Sequence, residues 1–293
     1  MRKRFALGLV AVCSLVTFAT SHFAQAKVHK DLQYAKVGDV ALHIDLYLPD
    51  ESDAAPPLIV WIHGGGWQNG SKDRCPFRWM VDEGYAVASV QYRLTDKGSF
   101  PAQIHDCKGA IRWLRANATE YGYNAEKIGA VGISAGGHLV ALLGTSGDLK
   151  ELEGDVGGNL DQSSRVQAVL DMCGPSDFVL RWKERPDAVN KPGSPVYKLL
   201  GGPLPEKREV AEAASPAFHV TEDDAPLLIV HGTKDQLVQH AQSEHLRDLY
   251  KQAELDVTLE TIEGGGHVPR EFFDATRRKM ALKFFGDHIK NAE

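Results

Sequence analysis

Seven short apolar runs, separated by stretches of helical length, constrain this chain more than any other feature. They are Ala41–Leu48, Leu58–Ile62, Tyr85–Val90, Lys127–Ile133, Val166–Met172, Pro226–Val230 and Leu255–Ile262. The first alternates apolar and polar residues, as a strand with one wet face does, whereas Leu58–Ile62 (LIVWI) is apolar throughout and has no face to give to water. Between such runs, Ile104, Cys107, Ile111, Leu114 and Ala118 recur at three- and four-residue steps, and Leu246, Leu249, Tyr250 and Ala253 do the same further on. Met280, Ala281, Phe284 and Phe285 mark a final helix. Continuous apolar strands joined by crossover helices call for a parallel sheet covered on both faces, an α/β architecture. Residues 174–216 break the rhythm with Pro, Gly and charge, and read as an insertion over one edge of the sheet. Ligands of such sheets bind beyond the carboxyl ends of the strands, so the loops leaving those ends should carry the chemistry.

The first 26 residues stand apart from this pattern. Arg2, Lys3 and Arg4 precede an apolar run from Phe5 to Phe18, and Ala24-Gln25-Ala26 supplies a small-x-small cleavage site. This predicts a secretory signal cleaved near Ala26, a secreted or periplasmic protein, and one catalytic domain over 27–293 of about 267 residues. The run is shorter than the roughly 20 residues that span a bilayer, so no stable membrane anchor is expected. Loss of three basic residues takes the formal net charge from −6 to about −9. Such a balance leaves no basic footprint for nucleic acid.

Four loops at strand ends hold residues that suit one chemistry. Gly132-Ile133-Ser134-Ala135-Gly136 lies between a strand and a helical run, where a sharp turn would present the Ser134 hydroxyl and small neighbours would let strand and helix pass closely. His63-Gly64-Gly65-Gly66-Trp67 follows LIVWI, and a backbone bare of side chains can aim N–H groups at an oxygen that becomes negative. Asp235, in HGTKD, and His267, in GGGH, follow the last two strands and complete the order Ser, Asp, His. A neutral imidazole takes the serine proton, and a carboxylate fixes its tautomer and stabilises the imidazolium. Asp171 and Asp177 compete with Asp235; Asp177 is better suited to capping a helix and Asp171 ends a strand. His63 reads as a hydrogen-bonded structural residue. Trp67 either lines a substrate pocket or packs under the loop. His105, His138, His219, His231, His240 and His245 read as packed or solvated.

HGGGW, Tyr92-Arg93-Leu94, Phe100-Pro101-Ala102, Asp106 with KGAIRWLRANA, GISAGGHLVALLG, CGPSD, HGTKD and GGGH together resemble the α/β-hydrolase fold. They are most similar to its secreted branch of bacterial feruloyl and acetylxylan esterases. The resemblance implies an eight-stranded, mostly parallel sheet with a short cap insertion, Ser134 as nucleophile, Asp235 as acid and His267 as base. It implies oxyanion donors among Gly65, Gly66 and Ala135, leaving open which two glycines contribute, and a structural Arg93–Asp106 ion pair. The expected activity is a serine carboxylic-ester hydrolase acting through an acyl-enzyme on short acyl or hydroxycinnamoyl esters of plant polysaccharide, with no cofactor or metal. A peptidase, an arylformamidase and a non-catalytic binding protein of the same fold are the alternatives.

Of the four cysteines, Cys13 falls in the leader, which leaves Cys75, Cys107 and Cys173. Export, together with the flanking of Tyr85–Val90 by two of them, predicts a Cys75–Cys107 disulfide.

Overall fold

The computed structural model describes residues 27–50 and 54–291, so the expected leader lies outside the described residues. Eight strands form one sheet: β1 (Lys27–Val37), β2 (Val40–Leu48), β3 (Pro57–Ile62), β4 (Ala86–Val90), β5 (Asn124–Ile133), β6 (Ala168–Met172), β7 (Leu227–Gly232) and β8 (Val257–Ile262). Their order is β1-β2-β4-β3-β5-β6-β7-β8. β2 pairs antiparallel with β1 and β4, and every other pairing is parallel.

The period of two along each strand deals its side chains to two separate cores. Leu58, Val60 and Ile62 of β3 join the core that also takes Ile104 and Ile111 of the helix Ala102–Ala116 and Leu139 and Leu142 of the helix Ala135–Thr145. Ile59 and Trp61 join the opposite core, with Phe77, Met80, Ala281 and Phe285. β3 is therefore buried on both faces, as its unbroken apolar sequence requires. Each such aliphatic side chain contributes about 1.5–3 kcal/mol of burial.

β1 is the strand that the apolar pattern does not announce. Its sequence KVHKDLQYAKV is mostly polar, and its residues are mostly exposed or half-buried at the sheet edge. Pairing with β2, rather than burial, makes it a strand.

The expected Cys75–Cys107 disulfide does not form. Cys75 and Cys107 are free, buried thiols. Cys75 packs in the core with Phe77, and Cys107 in the core with Ile104, so the sheet lies between them. Flanking β4 in sequence placed them on opposite faces of it.

The insertion leaves β6 and returns to β7, two inner strands, through short helices that include Phe178–Glu184, Pro186–Asn190 and Pro195–Leu200. Its residues line the cleft that contains Ser134, so it roofs the carboxyl ends of the strands instead of covering an edge. No helix of the described residues is long and apolar enough to cross a membrane.

Candidate active site

β5 ends in a turn whose shape depends on two glycines. A Cβ on Gly132 would stand 2.2 Å from the Gly136 carbonyl oxygen, and one on Gly136 would stand 2.1 Å from that of Ile62. Strand, turn and helix thus approach more closely than side chains allow. Between them Ser134 adopts φ 56° and ψ −117°, a conformation that costs an L-residue about 1–3 kcal/mol and is held by its surroundings. The Ser134 N–H donates to the Met172 carbonyl at 2.7 Å, and its own carbonyl accepts from His138 N–H at 2.9 Å. The hydroxyl is left pointing to the cleft.

His267, in the loop after β8, meets that hydroxyl: Nε2 lies 2.9 Å from Ser134 Oγ. Its Nδ1 lies 2.6 Å from Asp235 Oδ2, in the loop after β7. A carboxylate only accepts, so Nδ1 carries the proton, and Nε2 of the neutral ring is free to accept the serine proton. Asp235 Oδ1 takes the amides of Leu237 and Val238 at 2.8 and 2.9 Å. Burial alone would raise the Asp235 carboxyl, but hydrogen bonds from His231, His267 and the Val238 amide outweigh it and hold the group well below the usual carboxylate range.

His231 is the residue that sequence reasoning missed. Its Nε2 lies 3.1 Å from Asp235 Oδ2 and 3.0 Å from the Val238 carbonyl, both acceptors, so Nε2 bears the hydrogen. Nδ1 then accepts from the Ser243 hydroxyl at 2.6 Å. Two imidazoles thus converge on one carboxylate oxygen. The signal was the four-residue spacing in HGTKD, which lets a strand-end histidine reach back to the acid of its own loop. The rival acids are elsewhere engaged. Asp171 Oδ1 accepts the Gly174 amide at 2.8 Å, and burial pushes this carboxyl up to about 6. Asp177 caps the helix Phe178–Glu184 through the amides of Val179 and Leu180.

The loop after β3 faces the elbow. Gly65 (φ 115°) and Gly66 (φ 60°) adopt left-handed backbone, and a Cβ on Gly65 would stand 2.2 Å from the Asn69 carbonyl oxygen. Ala135 opens its helix, so its N–H is among the first-turn donors with no acceptor inside the helix. Trp67 lines the cleft but is only 3% exposed, and its indole N–H donates to His138 Nδ1 at 3.2 Å. His138 passes the chain on, its Nε2 lying 2.6 Å from the Ala214 carbonyl, and burial lowers this ring to about 4. Trp67 and His138 both pack against Phe178. Packing under the loop is therefore what the structure records for Trp67. His63 stacks on Tyr92, whose hydroxyl donates to the His63 carbonyl at 3.0 Å. Arg93 grips Asp106 with Nε at 2.9 Å and Nη2 at 2.6 Å, tying the loop after β4 to the helix Ala102–Ala116.

These loops surround a cleft of about 1280 Å³. Among the described residues one trio, Cys173, Asp235 and His267, brings metal-ligand atom types within 4.8 Å of one another. Burial pushes the Cys173 thiol well up, away from the thiolate a cation would need, and Asp235 and His267 are bonded to each other.

The fold has close counterparts. A carbohydrate esterase from gut microbiota, solved in truncated form, superposes with a TM-score of 0.82 at 30% identity, covering 91% of this chain and 98% of that one. Esterase Est2 of Thermogutta terrifontis, solved with propionate bound, gives 0.71 at 28% identity over 90% and 94% of the two chains. Esterase LipC of Mycobacterium tuberculosis is 28% identical over 78% of this chain and 57% of its own length. The chain spans little more than half the length of such curated relatives. All three are named esterases, and the sheet with its flanking helices is the α/β-hydrolase fold. The BD-FAE family description matches residues 44–250, and to that family this chain belongs.

Proposed function

We propose that the protein is an exported serine carboxylic-ester hydrolase working through an acyl-enzyme, with short acyl or hydroxycinnamoyl esters of plant polysaccharide as substrates. The observation that carries this reading is the unbroken chain Ser134–His267–Asp235 opening on the cleft. Ser134 Oγ attacks the ester carbonyl while its proton passes to His267 Nε2, and the ionised Asp235 stabilises the imidazolium. Backbone N–H groups of Gly65 or Gly66 and of Ala135 receive the oxyanion. The alcohol departs with the proton from His267, and water, activated by the same nitrogen, releases the acid. Each step uses groups of the chain alone.

The names of the gut esterase and of the propionate complex support a carbohydrate ester and a short acyl group. So does the polar insertion, where Arg181, Lys183, Glu184, Arg185 and Asp187 replace the apolar inner face with which a lipase lid docks on oil. A fluorophosphonate probe should label Ser134 stoichiometrically. Acetylated xylan, methyl ferulate and 4-nitrophenyl esters of graded length then rank the acyl groups by kcat/KM. Acetyl and feruloyl esters should exceed C12 esters by at least about tenfold, or about 1.4 kcal/mol of differential transition-state binding. Faster turnover of emulsified long-chain triglyceride would overturn the substrate assignment.

A further inference from the structure

The chain carries a formal net charge of −6, yet its cleft is lined by an excess of cations. Arg74 and Arg78 stand on the wall that follows the glycine loop, and Arg181, Arg185 and Lys191 on the insertion. Two carboxylates, Asp73 and Asp187, share the lining, and Asp73 is already engaged by Ser71 at 2.8 Å and Lys72 at 3.5 Å. Among the described residues none of the five cations has a carboxylate oxygen within 4.0 Å.

Arg181 is the most telling of the five. It is 9% exposed, and a guanidinium taken so far out of water ordinarily needs an anion. Arg93 and Arg112 obtain one, from Asp106 and Glu153. Arg181 instead donates Nη2 to the Leu237 carbonyl at 2.6 Å and Nη1 to the Gln239 side-chain oxygen at 3.3 Å, and its Nε has no partner. Arg185 donates to the Gln236 carbonyl at 3.1 Å. Both are thus held by the loop that carries Asp235, whose carboxylate, with that of Glu184, acts on Arg181 only from beyond ion-pair distance while Arg185 opposes it. Across the cleft, Arg78 lies over the Tyr47 ring at 4.6 Å. Its segment is pinned by buried Lys72, which bonds Asp45 at 2.7 Å and whose carbonyl accepts the Ser89 hydroxyl at 2.7 Å. Two walls with five cations against two carboxylates bias the potential of the cleft toward positive for whatever enters.

We propose that the preferred ester carries a carboxylate, which Arg181, Arg185 and Lys191 receive beside Ser134; on a polysaccharide this is a uronate-bearing, acylated oligosaccharide. The inference rests on the ester-hydrolase reading and narrows its substrate class. A planar carboxylate matches the fork of a guanidinium, and the insertion supplies two guanidiniums one helical turn apart. The anion belongs to either the acyl or the alcohol side, and the two are separable by substrate.

The first probe is the ratio of kcat/KM for 4-nitrophenyl hemisuccinate to that for 4-nitrophenyl butyrate, measured from low salt to 1 M, where the screening length falls to about 3 Å. The second compares an acetylated glucuronoxylo-oligosaccharide with the same sugar after reduction of its uronate to the alcohol. The expected result is a charged-to-neutral ratio above one in at least one series, falling with salt. It should fall at least about threefold in the Arg185→Gln, Lys191→Gln double variant, whose exposed side chains leave the core intact. Arg181→Gln should lower it further, and Lys150→Gln, an exposed cation outside the cleft lining, should not change it. A response to hemisuccinate alone places the anion on the acyl side, and a response to the uronate alone places it on the alcohol side. Ratios at or below one in both series, insensitive to salt and to the double variant, overturn the inference while leaving butyrate hydrolysis in place. A protein that turns over neither ester overturns the hydrolase reading as well.

Discussion

The strand-end loops and the insertion border one cleft but are built in different ways. At the strand ends every important position is held by backbone: glycines that admit no Cβ, a serine at positive φ, and a carboxylate with two amides on one oxygen and two imidazoles on the other. The insertion is a set of short helices whose cations hang from carbonyls and side-chain amides of the neighbouring loop. A side chain added at Gly65, Gly132 or Gly136 of the first arrangement meets backbone, whereas the exposed cations of the second stand clear of the sheet. Reaction type and substrate preference are thus separable properties of one cleft.

The largest effects should follow from the first region and be blind to the substrate. Ser134→Ala, His267→Ala and Asp235→Asn should each lower kcat by about 10³–10⁶-fold on every ester tried, with near-native circular dichroism and losses that do not add in combination. Charge changes in the insertion should instead redistribute rates between esters. An Asp235→Asn variant that kept activity on some esters and lost it on others would abolish the distinction.

That division also explains what was legible in the sequence. Buried strands such as β3 declare themselves because burial on both faces demands an unbroken apolar run, and the elbow does because only glycine fits at 132 and 136. Ser134, Asp235 and His267 were legible as a set because each lies in a loop after a strand-like run, including the half-buried edge strand β8. β1 was missed since an edge strand needs hydrogen bonds to a neighbour more than apolar residues. His231 was missed because a buried histidine has the same local sequence whether it packs or touches a carboxylate. The cysteine pairing failed because flanking a strand in sequence does not say which face of the sheet each residue takes. The insertion showed its charge but not its placement, which depends on contacts such as Phe178 against Trp67 and His138.

His138 sits where the two regions meet, bonded to the glycine loop through Trp67 and to the end of the insertion through Ala214. Burial lowers its pKa from an ordinary 6.5 to about 4. Between those values the unfolded chain takes up a proton that the native ring refuses, so stability falls as pH drops through the window. At about 1.36 kcal/mol per unit the loss approaches about 3 kcal/mol near pH 4. Asp171 and Asp224, both pushed up to about 6 by burial, act in the opposite sense below pH 6 and are unchanged between variants. Urea unfolding of the native protein and of His138→Gln, from pH 7 to pH 4, should therefore show the difference in stability shrinking with acidity. Parallel curves would mean that the junction carries no titrating group.

A smaller effect is expected at His231, inside the strand-end cluster but not touching the serine. His231→Gln removes one donor from Asp235 Oδ2 and leaves His267 in place. We expect kcat to fall about tenfold, the scale of a hydrogen bond to a charged group, with KM within about threefold. Matching losses on acetyl, butyryl and feruloyl esters would place this histidine with the triad. An ester-dependent loss would place it with the insertion.

The smallest effect concerns the thiols, and it tests whether packing or a covalent strap holds the wall that carries Arg74 and Arg78. A bridge between Cys75 and Cys107 closes a loop of about 30 residues and would contribute roughly 3 kcal/mol by loop-closure entropy. The structure offers no such contribution: the two side chains lie in separate cores with the sheet between them. Burial also pushes the Cys75 thiol up to about 12 and the Cys107 thiol well above its ordinary value, so neither forms the thiolate that exchange requires. Iodoacetamide should accordingly leave both unmodified in the native protein and alkylate them, with Cys173, once urea unfolds it without reductant. Dithiothreitol should move the urea midpoint by less than the equivalent of about 0.5 kcal/mol. A reductant-sensitive midpoint, or a Cys75–Cys107 linked peptide in a non-reduced digest, would require the β4 flanks to share a face, and the wall opposite the insertion would then owe its rigidity to a covalent bond.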